Sequence, residues 1–496
     1  MRPIETLLVI ANFLVFFVFM APLPGAVGWR RHLAAIALLL AVAQVLREGS
    51  RWQMVPAYVL TAMLVLVWLQ HINPTDGPTA RILTGRLALG LGVLSLVVSA
   101  ALPLILPVFR FSRPSGPYAI GTLTCHWVDA DRREVLSADP KDRRELMVQI
   151  WYPAKTNALS PRAPYLQDAD ALAAALARLK PWPAFLFGQL RYVATNAIPS
   201  APVAEDKPDY PVLIFLEGAI GFRQMNTFQV EELVSYGYIV VSIDQPYTAA
   251  VVVFPDGRRI DALALDQMIP LIRQSYRPVE KAPTLNGRAF ANGIVPYLAQ
   301  DVIFSLNQLL VLNQADPNAL LTGRLDLRQV GVFGVSLGGI VASEACRLEP
   351  RLRACLIMDA PLPTEVVRSG LQQPILWITR DAETMRLERR RASGWSEADI
   401  REHQTTMRAG FENLRGEGYF VQVPGMFHVN LTDVPYWSPL LSRLGVTGPI
   451  DGQRAHRIIN AYTVAFFDRQ FRGTAPALLD GPAAEYPEVI FEKRRP

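Results

Sequence analysis

The chain has 496 residues, 51% of them hydrophobic, and a formal net charge of +5 from 49 basic and 44 acidic residues. The surplus is scattered arginine rather than a basic patch interleaved with stacking aromatics, which excludes a nucleic-acid-binding reading. Its three cysteines, Cys125, Cys346 and Cys355, make no disulfide framework.

Four apolar blocks fill the first 109 positions: Leu7 to Pro22 with Ile4 ahead of it, Leu33 to Leu46, Met54 to Leu69, and Leu87 to Phe109. The first and fourth approach the ~20 residues that span a bilayer. The middle two are short, but Trp29, Arg30, Arg31, Arg47, Arg51, Trp52 and Trp68 flank them as interface anchors. The expectation is an all-α membrane region over 1–109 with about four transmembrane helices; a buried hairpin is the alternative for the middle pair. The first block is long for a signal peptide's apolar stretch, and more apolar blocks follow it. Four spans put both ends of the region on one side. Arg2, Arg47, Arg51, Arg110 and Arg113 then share that side, with Arg30, Arg31, Arg81 and Arg86 opposite, a balance that leaves orientation open. Almost no charge lies within the blocks, where a transport or sensing role would show itself.

After Phe109 the composition turns to charged loops and strands, and 110–496 reads as one catalytic domain. Apolar runs at Met147–Trp151, Val212–Leu216, Ile239–Ile243, Val330–Phe333, Ala354–Met358, Ile375–Thr379 and Tyr419–Val423 alternate with helical stretches later on. That pattern predicts an α/β fold with a mostly parallel sheet. Residues 155–204 interrupt it: a helical stretch near Ala171–Leu179, then the aromatic Pro181–Phe187, either a lid or acyl pocket or simply core packing.

Gly334-Val335-Ser336-Leu337-Gly338 follows one apolar run and opens a helical one. A serine between two glycines on a strand-to-helix turn is a nucleophile elbow, which lifts the hydroxyl above the sheet. The N–H groups at the start of the following helix then face a developing negative charge. A base must come later in the chain. Of the six histidines, only His403, His428 and His456 do. His403 sits in a charged helical stretch and reads as a solvated face, and His456 opens an amphipathic helix and reads as packing or capping. His428 lies in a loop just past a late strand, where a general base belongs. Two aspartates, Asp359 and Asp381, each end a strand and compete for the third place; the one not used there is expected to cap a helix. Arg386 to Arg391 reads as a solvated helix face, and no metal-binding spacing occurs, so a metal-free, cofactor-free mechanism is expected.

Residues 114–492 resemble the platelet-activating factor acetylhydrolase family, in its plasma and intracellular type II form and bacterial relatives. The resemblance rests on Gly116–Gly121, Arg144–Pro153, Tyr210–Phe215, Phe254–Arg258, the elbow, Asp359-Ala360 and Phe427–Asp433. It implies an α/β-hydrolase fold with a Ser336, Asp359, His428 triad, because that family's acid follows the strand directly after the elbow. One departure stands out. The family's His-Gly at the first oxyanion strand is here Leu216-Glu217-Gly218-Ala219. Gly218 keeps the turn, so the oxyanion donors are expected to be the Ala219 and Leu337 N–H groups. Glu217 is expected to point away or to pair with a cation such as Arg223.

The reading is a multi-pass, membrane-anchored serine ester hydrolase. The resemblance implies esters with short or oxidised acyl chains, phospholipids among them, so the partners expected are such a substrate and the bilayer. A non-catalytic hydrolase-fold scaffold, or an acyltransferase or thioesterase on the same fold, is the alternative.

Overall fold

The computed structural model describes residues 1–20, 27–72, 86–155, 160–179, 183–392 and 394–495. Pro181, Trp182 and Arg81, singled out in the sequence, lie outside them, as do the side chains of Trp29, Arg30, Arg31 and Arg86.

The chain divides into two compact units. The first joins 1–109 to two distant stretches, 181–193 and 437–440. Its helices are α1 (Pro3–Met20), α2 (Val27–Glu48), α3 (Val55–Ile72) and α4 (Arg86–Ile105). At one end, Arg51 pairs with Glu5 at 2.7 Å and donates to the Leu106 carbonyl at 2.7 Å. Arg2 pairs with Glu5 and donates to the Gly49 carbonyl at 2.9 Å. These contacts gather the start of α1, the end of α2, the start of α3 and the end of α4, an up-and-down arrangement. The buried charges are satisfied mutually, as burial requires. A 3₁₀ segment, Ala184–Tyr192, packs on this end. Trp52 donates to the Phe185 carbonyl at 2.8 Å, and Gln53 bonds Gln189 at 3.1 Å. Phe187 meets Trp437 edge-on at 6.2 Å. The aromatic stretch of the 155–204 interruption therefore groups with the helical unit.

The second unit is built on a ten-stranded sheet. Its strands are β1 (Ala119–Arg133), β2 (Arg143–Ala154), β3 (Ile198–Pro199), β4 (Tyr210–Leu216), β5 (Ile239–Asp244), β10 (Leu325–Val335), β11 (Leu352–Met358), β12 (Ile375–Thr379), β13 (Gly418–Gln422) and β14 (Ile490–Arg494), with two small hairpins, β6–β7 (Val251–Val253, Arg259–Asp261) and β8–β9 (Thr284–Leu285, Arg288–Ala289), outside it. The order is β14-β13-β12-β11-β10-β4-β5-β2-β1-β3, and the six strands from β13 to β5 run parallel. Val212 to Leu216 on β4 are all fully buried, as expected of a parallel strand covered on both faces. The helix Val295–Gln314 is long and apolar enough to span a bilayer, as is Trp52–Leu69. The former instead buries Val295, Leu298, Val302, Leu306 and Leu309 in this unit's core. This is the α/β-hydrolase fold. Its parallel strands bring the ends of β4, β10, β11, β12 and β13 side by side, and every sequence-predicted site residue lies there.

Candidate active site

β10 passes through Val335 into Ser336, which has φ 57° and ψ −122°. For a non-glycine residue that backbone costs about 1–3 kcal/mol. The surroundings over-determine it. A Cβ on Gly334 would lie 2.4 Å from the Gly338 carbonyl, and one on Gly338 would lie 2.1 Å from the Leu216 carbonyl oxygen. Neither position admits a side chain, so the elbow closes directly against the end of β4. There Gly218 is close enough that an added Cβ would sit 3.2 Å from the Ser336 Cβ. The Gly221 N–H bonds the Gly218 carbonyl at 2.9 Å, closing a turn through Ala219 and Ile220, the latter at φ 58°. Among the described residues, the Ala219 and Leu337 N–H groups have no hydrogen-bond partner.

Sheet register sets Asp359 beside Ser336. Val335 pairs with Met358, the Ser336 N–H bonds the Met358 carbonyl at 2.9 Å, and Asp359 follows at once. Asp359 is fully enclosed and also has positive φ, 46°. Its carboxylate meets four groups. Oδ2 accepts from His428 Nδ1 at 2.5 Å and lies 2.8 Å from Arg380 Nε, an ion contact without hydrogen-bond alignment. Oδ1 accepts from Thr379 Oγ1 at 2.9 Å and from His403 Nε2 at 3.1 Å. Burial alone would raise this carboxyl. The Arg380 charge, with His403 and His428, outweighs it and holds the group well below the usual carboxylate range.

His428 begins a 3₁₀ turn, His428–Leu431, just past β13. Asn430 fixes that turn by accepting from the Phe427 N–H at 2.9 Å and the Gly448 N–H at 2.8 Å. With Nδ1 on Asp359, its Nε2 is the ring nitrogen that the carboxylate does not engage. Asp381 does something else: it caps the helix Ala382–Ala392, accepting from the Thr384 N–H at 2.9 Å and its hydroxyl at 2.6 Å. His456 packs against Phe228 with ring centroids 3.8 Å apart and bonds the Thr432 carbonyl at 2.9 Å.

Residues 107–473 match the family described as Platelet-activating factor acetylhydrolase, isoform II. The chain belongs to that family. A probable 1-alkyl-2-acetylglycerophosphocholine esterase of Arthroderma benhamiae is 23% identical over 428 residues, 80% of this chain and 98% of that protein. The platelet-activating factor acetylhydrolase of Cavia porcellus is 22% identical over 65% of this chain and 72% of its own length. The solved structure of a ferulic acid esterase from Streptomyces cinnamoneus aligns with a TM-score of 0.59 and 28% identity, over 78% of this chain and 99% of that one. The chain is accordingly a carboxylic-ester hydrolase of the platelet-activating factor acetylhydrolase family.

Within that family the site holds groups that the sequence reading passed over. His403, expected on a solvated face, is 1% exposed and touches Asp359. The signal was present: Ile400, His403, Met407, Gly410 and Phe411 form the buried stripe of the helix Glu397–Glu412, a helical period hidden among charges. Thr379 and Arg380 sit at the end of β12, and nothing in their local sequence marks them. Arg386 and Arg389 are solvated and pair with Glu397, as a surface face predicts, but Glu388 between them turns inward to pair with Arg380. Trp395 covers this group, 5.5 Å from the His403 ring, 5.7 Å from the His428 ring and 4.9 Å from the Arg380 guanidinium carbon.

Glu217 reaches toward β5, on the side of β4 away from the elbow. It accepts from the Gln245 N–H at 3.0 Å and is 2% exposed. The expected pairing with Arg223 does not form, because Arg223 is taken by Asp244. Likewise Arg144 is committed to Asp301 and Glu134. With no cation to spare, burial, then the Asp244 and Asp301 charges, push the Glu217 carboxyl well above its usual range, and its Oε2 has no partner. The carboxyl is thus turned toward Gln245 and away from the elbow. The folded chain holds the Glu217 proton where the unfolded chain would release it, so stability falls as pH climbs from about 4.5 toward the raised folded value. Glu217→Gln cannot ionise. Its melting temperature should gain on the parent's as pH rises, with a gain of about 1–3 °C by pH 9 and little at pH 5. A gap independent of pH would mean that Glu217 is already ionised in the fold.

Proposed function

We propose that the chain is a membrane-anchored serine esterase in which Ser336, His428 and Asp359 form the triad. The observation that carries this reading is the 2.5 Å contact of His428 Nδ1 with the buried Asp359, one strand from the strained Ser336. In this reading Ser336 Oγ attacks the ester carbonyl carbon while His428 Nε2 takes its proton. The Ala219 and Leu337 N–H groups bind the oxyanion. His428 then gives the proton to the departing alcohol, and water repeats the sequence to release the acid. Asp359 holds the imidazole in the required tautomer and stabilises its charged form. The unpaired state of both N–H groups and the turn of Glu217 toward Gln245 support the oxyanion assignment.

The substrate proposed is a phospholipid or related ester with a short or oxidised acyl chain, by analogy with the esterase named for Arthroderma benhamiae. The ferulic acid esterase neighbour makes feruloyl esters the natural comparison substrate. The membrane part rests on surface chemistry. Leu14, Phe17, Leu39, Leu46, Leu66, Leu91 and Leu94 on α1–α4 are each more than half exposed, far more apolar surface than a water-soluble bundle carries. We assign 1–109 as a multi-pass membrane region, with 110–496 as the catalytic domain.

The test is one experiment on membranes containing the full chain, washed with carbonate and then treated with a fluorophosphonate. The label should stay in the pellet and map to Ser336. Release by carbonate overturns the anchor, because hydrophobic burial is not screened by ions. Folded chain that stays unlabelled overturns the nucleophile.

A further inference from the structure

Asp359 is contacted by two imidazoles, and the triad uses only one. His428 takes Oδ2, while His403, from the inner stripe of the helix Glu397–Glu412, takes Oδ1 together with Thr379. A carboxylate only accepts hydrogen bonds, so the His403 Nε2 must carry the proton. Its other nitrogen, Nδ1, is buried with no partner. A proton there would be an unsatisfied buried donor, so His403 is neutral, with Nε2–H as its single donor. Burial depresses its proton affinity, and Asp359 only partly offsets this.

We infer that His403 is a positioning residue for the reaction: its Nε2–H pins the second oxygen of Asp359, so that the first faces His428 Nδ1. The inference rests on the triad proposed above. Arg380, from the end of β12, sits on the Oδ2 side and is itself drawn toward Glu388 of the helix Ala382–Ala392, with Asp381 next to it in the chain. Among the described residues, the other group on Oδ1 is the Thr379 hydroxyl, whose single bond would leave the carboxylate free to tilt about it. His403 supplies the second point on that oxygen. A rigid carboxylate matters because a displacement of about 1 Å in a catalytic array costs on the order of 100-fold in rate.

His403 also sets how much charge Asp359 presents to His428. Each hydrogen bond to a carboxylate spreads its charge. With His403 removed, Asp359 holds the protonated imidazole of His428 more tightly, and the base is lost at a higher pH. A residue that merely fills space in the helix would lower activity without moving that limb.

The experiment uses the full-length enzyme with p-nitrophenyl acetate. Fluorophosphonate titration counts the folded active sites, so partial misfolding of a variant does not enter the rates. His403→Phe keeps a ring and loses the donor, whereas His403→Gln keeps an N–H donor near the place of Nε2. Per labelled site, His403→Phe should lose roughly tenfold in kcat, and the acid limb of kcat/KM should move up by about half a pH unit. His403→Gln should recover most of both. If the parent labels at Ser336 and His403→Phe keeps the parental limb, or if His403→Gln behaves like His403→Phe, His403 is only packing and this inference fails while the triad stands. If the parent does not label at Ser336, the triad fails and takes the inference with it.

Discussion

Ser336→Ala should leave ester turnover at background, a loss of ~10⁴–10⁶-fold in kcat, with the melting temperature nearly unchanged. The two expectations follow from the same local geometry. The hydroxyl caps nothing, since the helix Leu337–Leu348 has no side-chain cap at Ser336. The Ser336 N–H bond to the Met358 carbonyl belongs to the backbone and survives the substitution. Alanine has the same Cβ and the same strain at φ 57°, so the fold bears no new cost. What disappears is the only atom in the elbow that can attack a carbonyl. Turnover of p-nitrophenyl acetate within about tenfold of the parent would rule out the triad as drawn.

Asp359→Asn should cost on the order of 10⁴-fold in kcat/KM, as loss of the acid does in serine-protease triads. The amide offers one acceptor where four groups now converge, and its NH₂ would face donors whichever way it turns. It also leaves the buried Arg380 with Glu388 as its remaining counter-charge. Removing one partner of a buried pair is expensive, about 3–5 kcal/mol, so the measurement must be made per labelled active site and accompanied by a melting curve. Asp381→Asn should behave oppositely. It weakens a helix cap worth about 1 kcal/mol and leaves the rate near the parental value. A reversed order of the two losses would move the acid to the later strand.

The readable and unreadable parts of this molecule differ in physical character. Strands β4, β5, β10, β11, β12 and β13 are buried on both faces, so their sequences are continuous apolar runs that announce themselves. β1 and β14 are mostly half-exposed and polar: the second half of β1, through Asp129 to Arg133, has no apolar run, and β14 reads Ile-Phe-Glu-Lys-Arg. Such strands exist because a neighbour offers them hydrogen bonds, which a single segment cannot reveal. The same division holds at the site. The elbow could be read because glycine is required on both sides of the serine, and His428 because it follows a strand. His403 reaches Asp359 across a helix, 44 residues away in the chain, and its neighbours Glu402 and Arg401 disguise the inner stripe. The direction of Glu217 was half legible. The need to keep a carboxylate off the oxyanion was clear, but the prior claim of Asp244 on Arg223 depends on tertiary contacts.

The helical unit is discontinuous in sequence, and this sets a timetable for its assembly. Residues 1–109 are synthesised before the stretches they pack with, yet Trp52 and Gln53 have partners in Phe185 and Gln189, and Phe187 has its ring partner in Trp437. At synthesis rates of ~5–20 residues per second, the roughly 330 residues between Phe109 and Trp437 amount to ~15–65 s of waiting. For that interval the nascent bundle presents an unfinished end, with the ion pairs of Glu5 and Arg51 beside it. A chain that stalls or is cut before Trp437 is thus left with a helical unit that is synthesised but not complete, a state in which quality-control proteases would meet it.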